Sequence, residues 1–367
     1  MECLRGIEVT LLLPHKRKYM IIKNMETLNL LTQLGNKIKL ARKELGFKKR
    51  EDFAKIINID VSILKEIENG KTAPPYKIIS FLCKELGISP RAFIYSSKQE
   101  VSYRGNKKLA ISDKIKIQTI IQNINDLIEL NAIRHNRFDF EGDNNPVVAA
   151  RDFIKYYKLS DRDFNTWDKI KDILSEKEIY IFGLPLKSKS GAVPQEEPFF
   201  IILNSNEPID RWSFSLLHEI GHLIAPPDFK KDEEYANAFA SNVLIPEELV
   251  PELWKKLKDY ITNYKFGTFY RKVRQMNKYI SPEAVFYKLI SVYLPDEIWK
   301  FQKFKKYSQE ERRKEKHTTV TKNKILLPKV YAEKILDLYE NNKITEKRAD
   351  ELLLGQFEKI SDLRKRK

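Results

Sequence analysis

Two histidines four residues apart are the part of the sequence best suited to chemistry. They are His218 and His222 in the stretch LLHEIGHLI, residues 216–224. On a helix, residues four apart lie on one face, so both imidazoles can bind one metal ion. Glu219 then lies beside the ion without binding it, in a position to act as the general base of a hydrolysis. The alternative is a core helix whose histidines bond to backbone carbonyls.

A catalytic zinc site needs a third protein ligand and one open position. Downstream, the segment KKDEEYANAFASNVLIP predicts a second helix that packs antiparallel to the first after a tight connection. Glu233 is the expected ligand, because its neighbours at helical spacing include Ala236 and Ala240 and suit a closely packed face. Glu234 lies on a different face. The predicted site therefore holds Zn²⁺, and such a site also accepts manganese or iron.

The elements before this site alternate between helix and strand. VVAARDFIKYYKL and WDKIKDILSEKE predict helices, and IYIFGLPL and PFFIILNSN predict strands joined by the turn KSGAVPQEE. The second strand is apolar nearly throughout, which indicates that both of its faces are covered. A peptide substrate is expected to add itself beside this strand by backbone pairing.

The stretches RWSFSLLHEIGHLI and EEYANAFASNVLIP resemble the ImmA/IrrE family of metallopeptidases. The resemblance covers roughly residues 146–300 and implies a zincin-like α+β metallopeptidase domain. The family's third ligand falls on Glu233. Trp212 and Tyr235 depart from the family's usual residues, but neither replaces a ligand.

Residues 31–95 show a dense helical pattern that predicts a five-helix bundle. Gly46 ends the first helix, and Asp60 is a favourable N-cap for a third helix that ends at Gly70. The second and third helices are joined by a short turn, which predicts a helix-turn-helix arrangement whose third helix enters the major groove.

This bundle resembles the Xre/Cro-type helix-turn-helix family, with IENGKTAPP in the place of the family's Glu-x-Gly-x-x-x-Pro signature. The resemblance assigns base reading to the start of the third helix and phosphate contacts to nearby cations. The expected DNA-binding residues are Val61, Ser62 and Lys65 for the bases and Lys48, Lys49, Arg50 and Lys71 for the phosphates. Val61 and Ile63 cannot bond to base edges, so a protein-docking role is the alternative.

Other parts of the chain are assigned by composition. Residues 1–30 are predicted to be a tail, residues 96–145 a connecting amphipathic helix and loop, residues 301–322 a basic linker, and residues 323–367 a helical hairpin for docking or dimerisation. The basic run FQKFKKYSQEERRKEKH is interpreted as a solvated helix or flexible linker. The alternative is that it binds nucleic acid. The fold class is mainly α with a small β-sheet.

The composition narrows the class of protein. The net charge of +16 favours a polyanionic partner. Two cysteines are too few for a disulfide framework, and no apolar run reaches membrane-spanning length, so a cytoplasmic protein without a membrane partner is expected.

The combined pattern is similar to fusions of an Xre-family regulator with an ImmA/IrrE peptidase. The resemblance implies a DNA-binding regulator that cleaves a repressor or antitoxin-like protein with Zn²⁺, in a stress response or a mobile element, possible as a homodimer. The alternative is a DNA-binding regulator or antitoxin whose peptidase-like domain only senses or binds partners.

Overall fold

The structure is a computed structural model that describes residues 25–95, 110–134, 139–159, 166–187, 191–193, 197–229, 233–277, 280–314 and 325–365. The chain divides into two compact units, residues 1–94 and residues 95–367. His135, which the sequence places in a polar break, lies outside the described residues. No described helix is both long and apolar enough to cross a membrane.

The first unit is the predicted helical bundle. Its helices are α1 (Met25–Glu44), α2 (Arg50–Ile56), α3 (Val61–Glu68), α4 (Tyr76–Leu86) and α5 (Pro90–Tyr95). Helix α1 begins at Met25, within the segment that was expected to be a tail. Asp60 caps α3 as predicted, because its carboxylate accepts a hydrogen bond from the backbone N–H of Ser62 at 2.7 Å.

A buried ion cluster joins the helices of this unit. The Glu68 side chain is fully buried and accepts from Arg42 Nε at 2.6 Å and from Arg50 Nε at 2.7 Å. Arg42 also donates to the backbone carbonyl of Lys48 at 3.0 Å. The carboxylate of the family signature therefore ties α3 to α1 and α2, since a buried charge is tolerated only when it is paired and hydrogen-bonded.

The second unit places a small sheet among helices. The sheet has β1 (Tyr180–Leu184), β2 (Gly191–Ala192) and β3 (Phe200–Asn204) in the order β1-β3-β2, with β1 parallel and β2 antiparallel to β3. The helices are α6 (Ile111–Glu129), α7 (Pro146–Tyr156), α8 (Thr166–Glu176), α9 (Ile209–Ile224), α10 (Glu233–Leu244), α11 (Val250–Thr262), α12 (Phe266–Met276), α13 (Pro282–Tyr293), α14 (Trp299–Lys314), α15 (Lys329–Glu340), α16 (Glu346–Leu352) and α17 (Phe357–Lys365).

The central strand β3 is buried along its whole length, as predicted, because each face of the sheet contributes to a different core. Ile201 and Leu203 belong to the core formed with α9 and α10. Phe200 and Ile202 face the other way, into a core formed with α6 and α15–α17. The alternation of side chains along a strand explains how one short segment serves both layers.

The C-terminal part of the chain departs from two expectations. Residues 301–314, expected to be part of a basic linker, form most of α14, and Phe304 and Ser308 of that helix are fully buried. Residues 325–365 form three helices instead of a free hairpin, and Tyr331 and Ile335 pack into the core over the sheet. Hydrophobic burial within the unit outweighs the charged appearance of these segments.

The outer edge of β1 is occupied by the segment that precedes α15. The backbone N–H of Gly183 donates to the carbonyl of Leu326 at 2.9 Å, and the N–H of Leu326 donates to the carbonyl of Gly183 at 2.8 Å. The sheet is therefore extended on the β1 side by the chain itself, while β2 forms its opposite edge.

Candidate metal centre

Helices α9 and α10 approach each other closely at the predicted metal site. Gly221, between the two histidines, is the point of contact, because a Cβ at this position would lie 3.0 Å from Cα of Ala236. A side chain at residue 221 would force the two helices apart. The short connection and this glycine together bring the first turn of α10 to the face of α9 that carries His218 and His222.

Three potential ligand atoms converge where the two helices meet. His218 Nε2 lies 3.2 Å from His222 Nε2 and 3.4 Å from Glu233 Oε2, and His222 Nε2 lies 3.8 Å from Glu233 Oε1. Ligands about 2.0–2.1 Å from a tetrahedral ion are separated by about 3.3 Å. The spacing and the mixture of two nitrogens with one carboxylate therefore fit a zinc-type ion.

Glu219 is held against the edge strand. Its side chain is 7% exposed, and a Cβ on Gly191 of β2 would lie 2.6 Å from Glu219 Oε1. Only glycine at residue 191 leaves room for this carboxylate. The sequence analysis treated KSGAVPQEE as a turn and missed β2, because a strand of two residues, one of them a glycine, carries no periodicity.

Asn237 is a site residue to which the sequence analysis assigned no role. Its Oδ1 atom accepts from Nδ1 of His218 at 3.1 Å. Glu233 and Asn237 are four residues apart and share one face of α10, so one helix supplies a candidate ligand and a hydrogen-bond partner for His218. The signal in the sequence was the spacing, which places an amide one turn after Glu233.

Tyr235 anchors the same turn of α10. Its hydroxyl donates to the backbone carbonyl of Asp143 at 2.7 Å, and its ring is buried. Burial, with a smaller contribution from the nearby Asp143 charge, raises the pKa of Tyr235 to about 12. The hydroxyl therefore keeps its proton at neutral pH, and the residue serves packing, which accounts for its presence within the third-ligand motif.

Trp212, the other departure from the family pattern, is also a structural residue. Its Nε1 atom donates to the carbonyl of Asn204 at 3.0 Å, and the indole ring is buried at the end of β3. Trp212 thus fixes the start of α9 against the strand that precedes it.

Two family models match the chain. A helix-turn-helix domain matches residues 35–95, and an IrrE N-terminal-like domain matches residues 174–278. The chain therefore joins a segment that matches the first family to a segment that matches the second. This confirms the resemblance inferred from the motifs, over a shorter second segment than the expected residues 146–300. Searches of curated proteins and of solved structures found no match.

The IrrE N-terminal-like match assigns a metallopeptidase-like character to the second unit, and the family is typically metal-dependent. The helix-turn-helix match indicates a DNA partner for the first unit, and the peptidase-like match indicates a protein substrate for the second.

The expected DNA-binding residues lie on or beside α2 and α3. Lys49, Ser62, Lys65 and Lys71 are exposed, and Val61 is half-buried. The Ser62 hydroxyl donates to Asp60 at 2.6 Å, and Arg50 donates to the buried Glu68. The side chains of two of the seven candidates, Ser62 and Arg50, are therefore already engaged within the unit.

Proposed function

We propose that the protein is a DNA-binding regulator with zinc-dependent endopeptidase activity toward a protein partner. The observation that carries this proposal is the triangle of donor atoms from His218, His222 and Glu233, with Glu219 buried beside it. A regulator that used this domain only for binding would need no carboxylate next to two histidines that face one ion-sized space. A repressor or antitoxin-like protein is the proposed substrate class.

Each residue of the site has a separate task in this proposal. His218, His222 and Glu233 hold the ion, which when bound supplies Lewis-acid chemistry by polarising a carbonyl and acidifying a nearby water. Glu219 accepts the proton of the attacking water and then delivers it to the leaving amine. Its burial against Gly191 restricts the movement of the carboxylate and shields it from bulk solvent.

The substrate is proposed to pair with β2, which corrects the expectation that it would lie beside PFFIILNSN. That segment forms β3, whose two edges are already paired with β1 and β2. Strand β2 lies at the edge of the sheet, and Gly191 contacts the proposed general base. A peptide added along β2 would therefore run past Glu219 with its backbone held by the strand.

The first unit is proposed to bind DNA through the start of α3. Lys65 is exposed there, and Lys49 and Lys71 lie before α2 and after α3 as candidate phosphate contacts. Val61 offers only an apolar contact, and the Ser62 hydroxyl would have to share its bond with Asp60. These features support DNA binding that depends mainly on contacts with the phosphates of the DNA backbone.

Metal content tests the site directly. Purified wild-type protein is expected to contain about one zinc per chain, and Glu233→Ala to lose it because a ligand is gone. Glu234→Ala, at the next residue, is the matched control and should keep the metal. Glu219→Gln should also keep the metal, since Glu219 is not a ligand. No metal in the wild type after addition of zinc would refute the proposal.

Cleavage is tested in cells that produce the wild type or the Glu219→Gln variant. New protein N-termini, identified by mass spectrometry, are expected only with the wild type. If both proteins bind zinc and neither generates new N-termini, the domain binds partners without cutting them, and the alternative function stands.

A further inference from the structure

We propose that the surface formed by the end of α11, the start of α12 and the first half of α14 binds single-stranded nucleic acid. This surface, called here the Trp299 surface, consists of Tyr264, Lys265, Trp299, Lys303 and Lys306. It lies in the second unit and is separate from both the helix-turn-helix domain and the metal centre.

The charge of the chain is concentrated in this part of the sequence. Residues 250–314 contain 16 lysines and arginines but only 7 aspartates and glutamates, so they hold more than half of the net charge of +16. Several of the carboxylates are paired within the same helices, such as Glu252 with Lys256 and Glu311 with Lys314. The remaining cations give the region a positive field that attracts polyanions.

Two aromatic rings lie side by side within this charged region. Tyr264 and Trp299 are 46% and 47% exposed, and their ring centroids are 6.4 Å apart. Single exposed aromatic residues are common on protein surfaces. An adjacent pair among cations is less easily explained by chance, because it leaves a sizeable apolar area in contact with water.

Lysines hold and flank these rings. Lys303 Nζ lies 4.7 Å from the Trp299 ring centroid, and Lys300 Nζ lies 4.8 Å from that of Tyr264. Lys300 is almost fully buried and also pairs with Glu297, so it supports Tyr264 from within. Lys303 is exposed, and Trp299, Lys303 and Lys306 share one side of α14 by their spacing.

The backbone that carries the Trp299 surface is held in place by tightly packed aromatic side chains. Phe266, two residues after Tyr264, contacts the ring of Phe304 at 5.6 Å, and Phe304 stacks on Phe286 at 4.3 Å. Phe304 lies one turn after Lys300 on α14 and is fully buried. The rings of the surface are thus fixed before any ligand arrives, which reduces the entropy lost on binding.

The combination of two adjacent exposed rings with neighbouring lysines favours single-stranded nucleic acid over other polyanions. Unpaired bases can stack on exposed aromatic rings while nearby lysines contact the phosphates. In a duplex the base faces are already stacked, so Tyr264 and Trp299 could contribute little. An anionic membrane would also attract lysines and aromatic rings, and it is the competing explanation that the experiment must separate.

The test measures fluorescence anisotropy of labelled 15-residue oligo-dT and oligo-rU, and of a duplex of equal length, with the full-length chain. All proteins carry Lys65→Glu and Lys71→Glu to suppress binding by the helix-turn-helix domain. We expect Tyr264→Ala with Trp299→Ala to weaken single-strand binding by about tenfold or more. Trp299→Phe should retain most of the affinity, because it keeps a ring. Comparison of oligo-dT with oligo-rU shows whether the sugar matters.

Charge is tested separately from stacking. Lys303→Glu with Lys306→Glu should lower the slope of log affinity against log salt by about 1.4, because two phosphate contacts are lost. Lys343→Glu with Lys347→Glu, at exposed positions in and before α16, changes the net charge equally and should leave the slope unchanged. Circular dichroism confirms that each variant is folded.

Three results would overturn the proposal. The first is equal single-strand binding by the wild-type surface and the double alanine variant. The second is binding of the duplex alone. The third is binding of phosphatidylserine vesicles that depends on Trp299 when binding of the oligonucleotides does not, which would identify a membrane-binding surface.

Discussion

Asn237 Oδ1 lies 3.1 Å from His218 Nδ1, so α10, which carries Glu233, also orients the imidazole of His218. A carbonyl oxygen can only accept, and it therefore selects the imidazole tautomer with the proton on Nδ1. The Nε2 lone pair would then face a bound ion.

Replacement of Asn237 should weaken metal binding more than it weakens the fold. Asn237→Leu removes the acceptor, and affinity for zinc is expected to fall by about 10- to 100-fold. Asn237→Asp keeps an acceptor and should bind zinc at least as tightly as the wild type. Competition with a chromophoric chelator measures the affinity, and Asn263→Leu, far along the chain in an exposed turn, is the control. Unchanged affinity in Asn237→Leu would refute this role.

Gly191 is expected to control catalysis without affecting the metal. In Gly191→Ala the new methyl group collides with the Glu219 carboxylate, which must move from its present position beside β2. We predict unchanged zinc content with a loss of turnover. Gly267→Ala introduces a comparable clash against the Tyr307 hydroxyl on another part of the unit and should leave turnover intact. Loss of zinc in Gly191→Ala would show that the residue acts on the ligands instead.

Replacement of Glu68 should destabilise the helix-turn-helix unit and leave the second unit unaffected. Glu68→Gln leaves Arg42 buried without its charged partner, at a cost of about 3–5 kcal/mol in the free energy of unfolding. DNA binding is expected to be lost while zinc content is kept. Glu66→Gln is the matched control, because the Glu66 side chain is exposed and accepts a hydrogen bond from the Thr72 hydroxyl, which a glutamine can also accept. The two variants are compared by thermal unfolding and by a DNA mobility shift; similar stability would contradict the buried-charge argument.

The ion pair of Glu178 with Lys334 should attach α15 to the rest of the unit in a pH-dependent way. Burial acts to raise the pKa of Glu178, but the hydrogen bonds from Lys334 and from the Arg134 backbone outweigh it and lower the pKa. The stabilisation is therefore complete above the unfolded-state pKa of about 4.3 and is lost as the pH falls through the lowered value.

Glu178→Gln is expected to reduce the free energy of unfolding by about 1 kcal/mol at pH 7 and by much less at pH 3. Chemical denaturation at the two pH values measures the difference. Glu176→Gln, two residues earlier and exposed, serves as the control. An effect of the same size at both pH values would show that the carboxylate charge is not responsible.

Local signals in the sequence predicted much of the fold and the clustering of His218, His222 and Glu233. The capping residue Asp60 and the four-residue spacing of His218 and His222 act within a single helix, so their consequences can be inferred without knowing the tertiary structure. The place of Glu233 could be predicted because only a short connection separates α9 from α10. A short connection restricts which faces of the two helices can meet.

The remaining features depend on contacts between distant segments. Strand β2 is too short to carry a pattern of its own and exists because β3 offers an unpaired edge. Helix α14 resembles a solvated segment in its composition, yet Phe304 and Ser308 are buried by α12 and α13. The role of Asn237 similarly requires knowing that α10 packs against α9.

The pairing of Gly183 with Leu326 determines when the sheet can be completed as the chain is synthesised. The residues that match the IrrE N-terminal-like domain end at 278, but residues 325 and beyond cover one edge of their sheet and, together with α6, one of its faces. A nascent chain that has not yet reached this segment lacks part of the cover over Phe182, Phe200 and Ile202. The peptidase-like unit is therefore completed only late in translation, and a product truncated before residue 325 would leave part of this apolar face exposed and prone to aggregation.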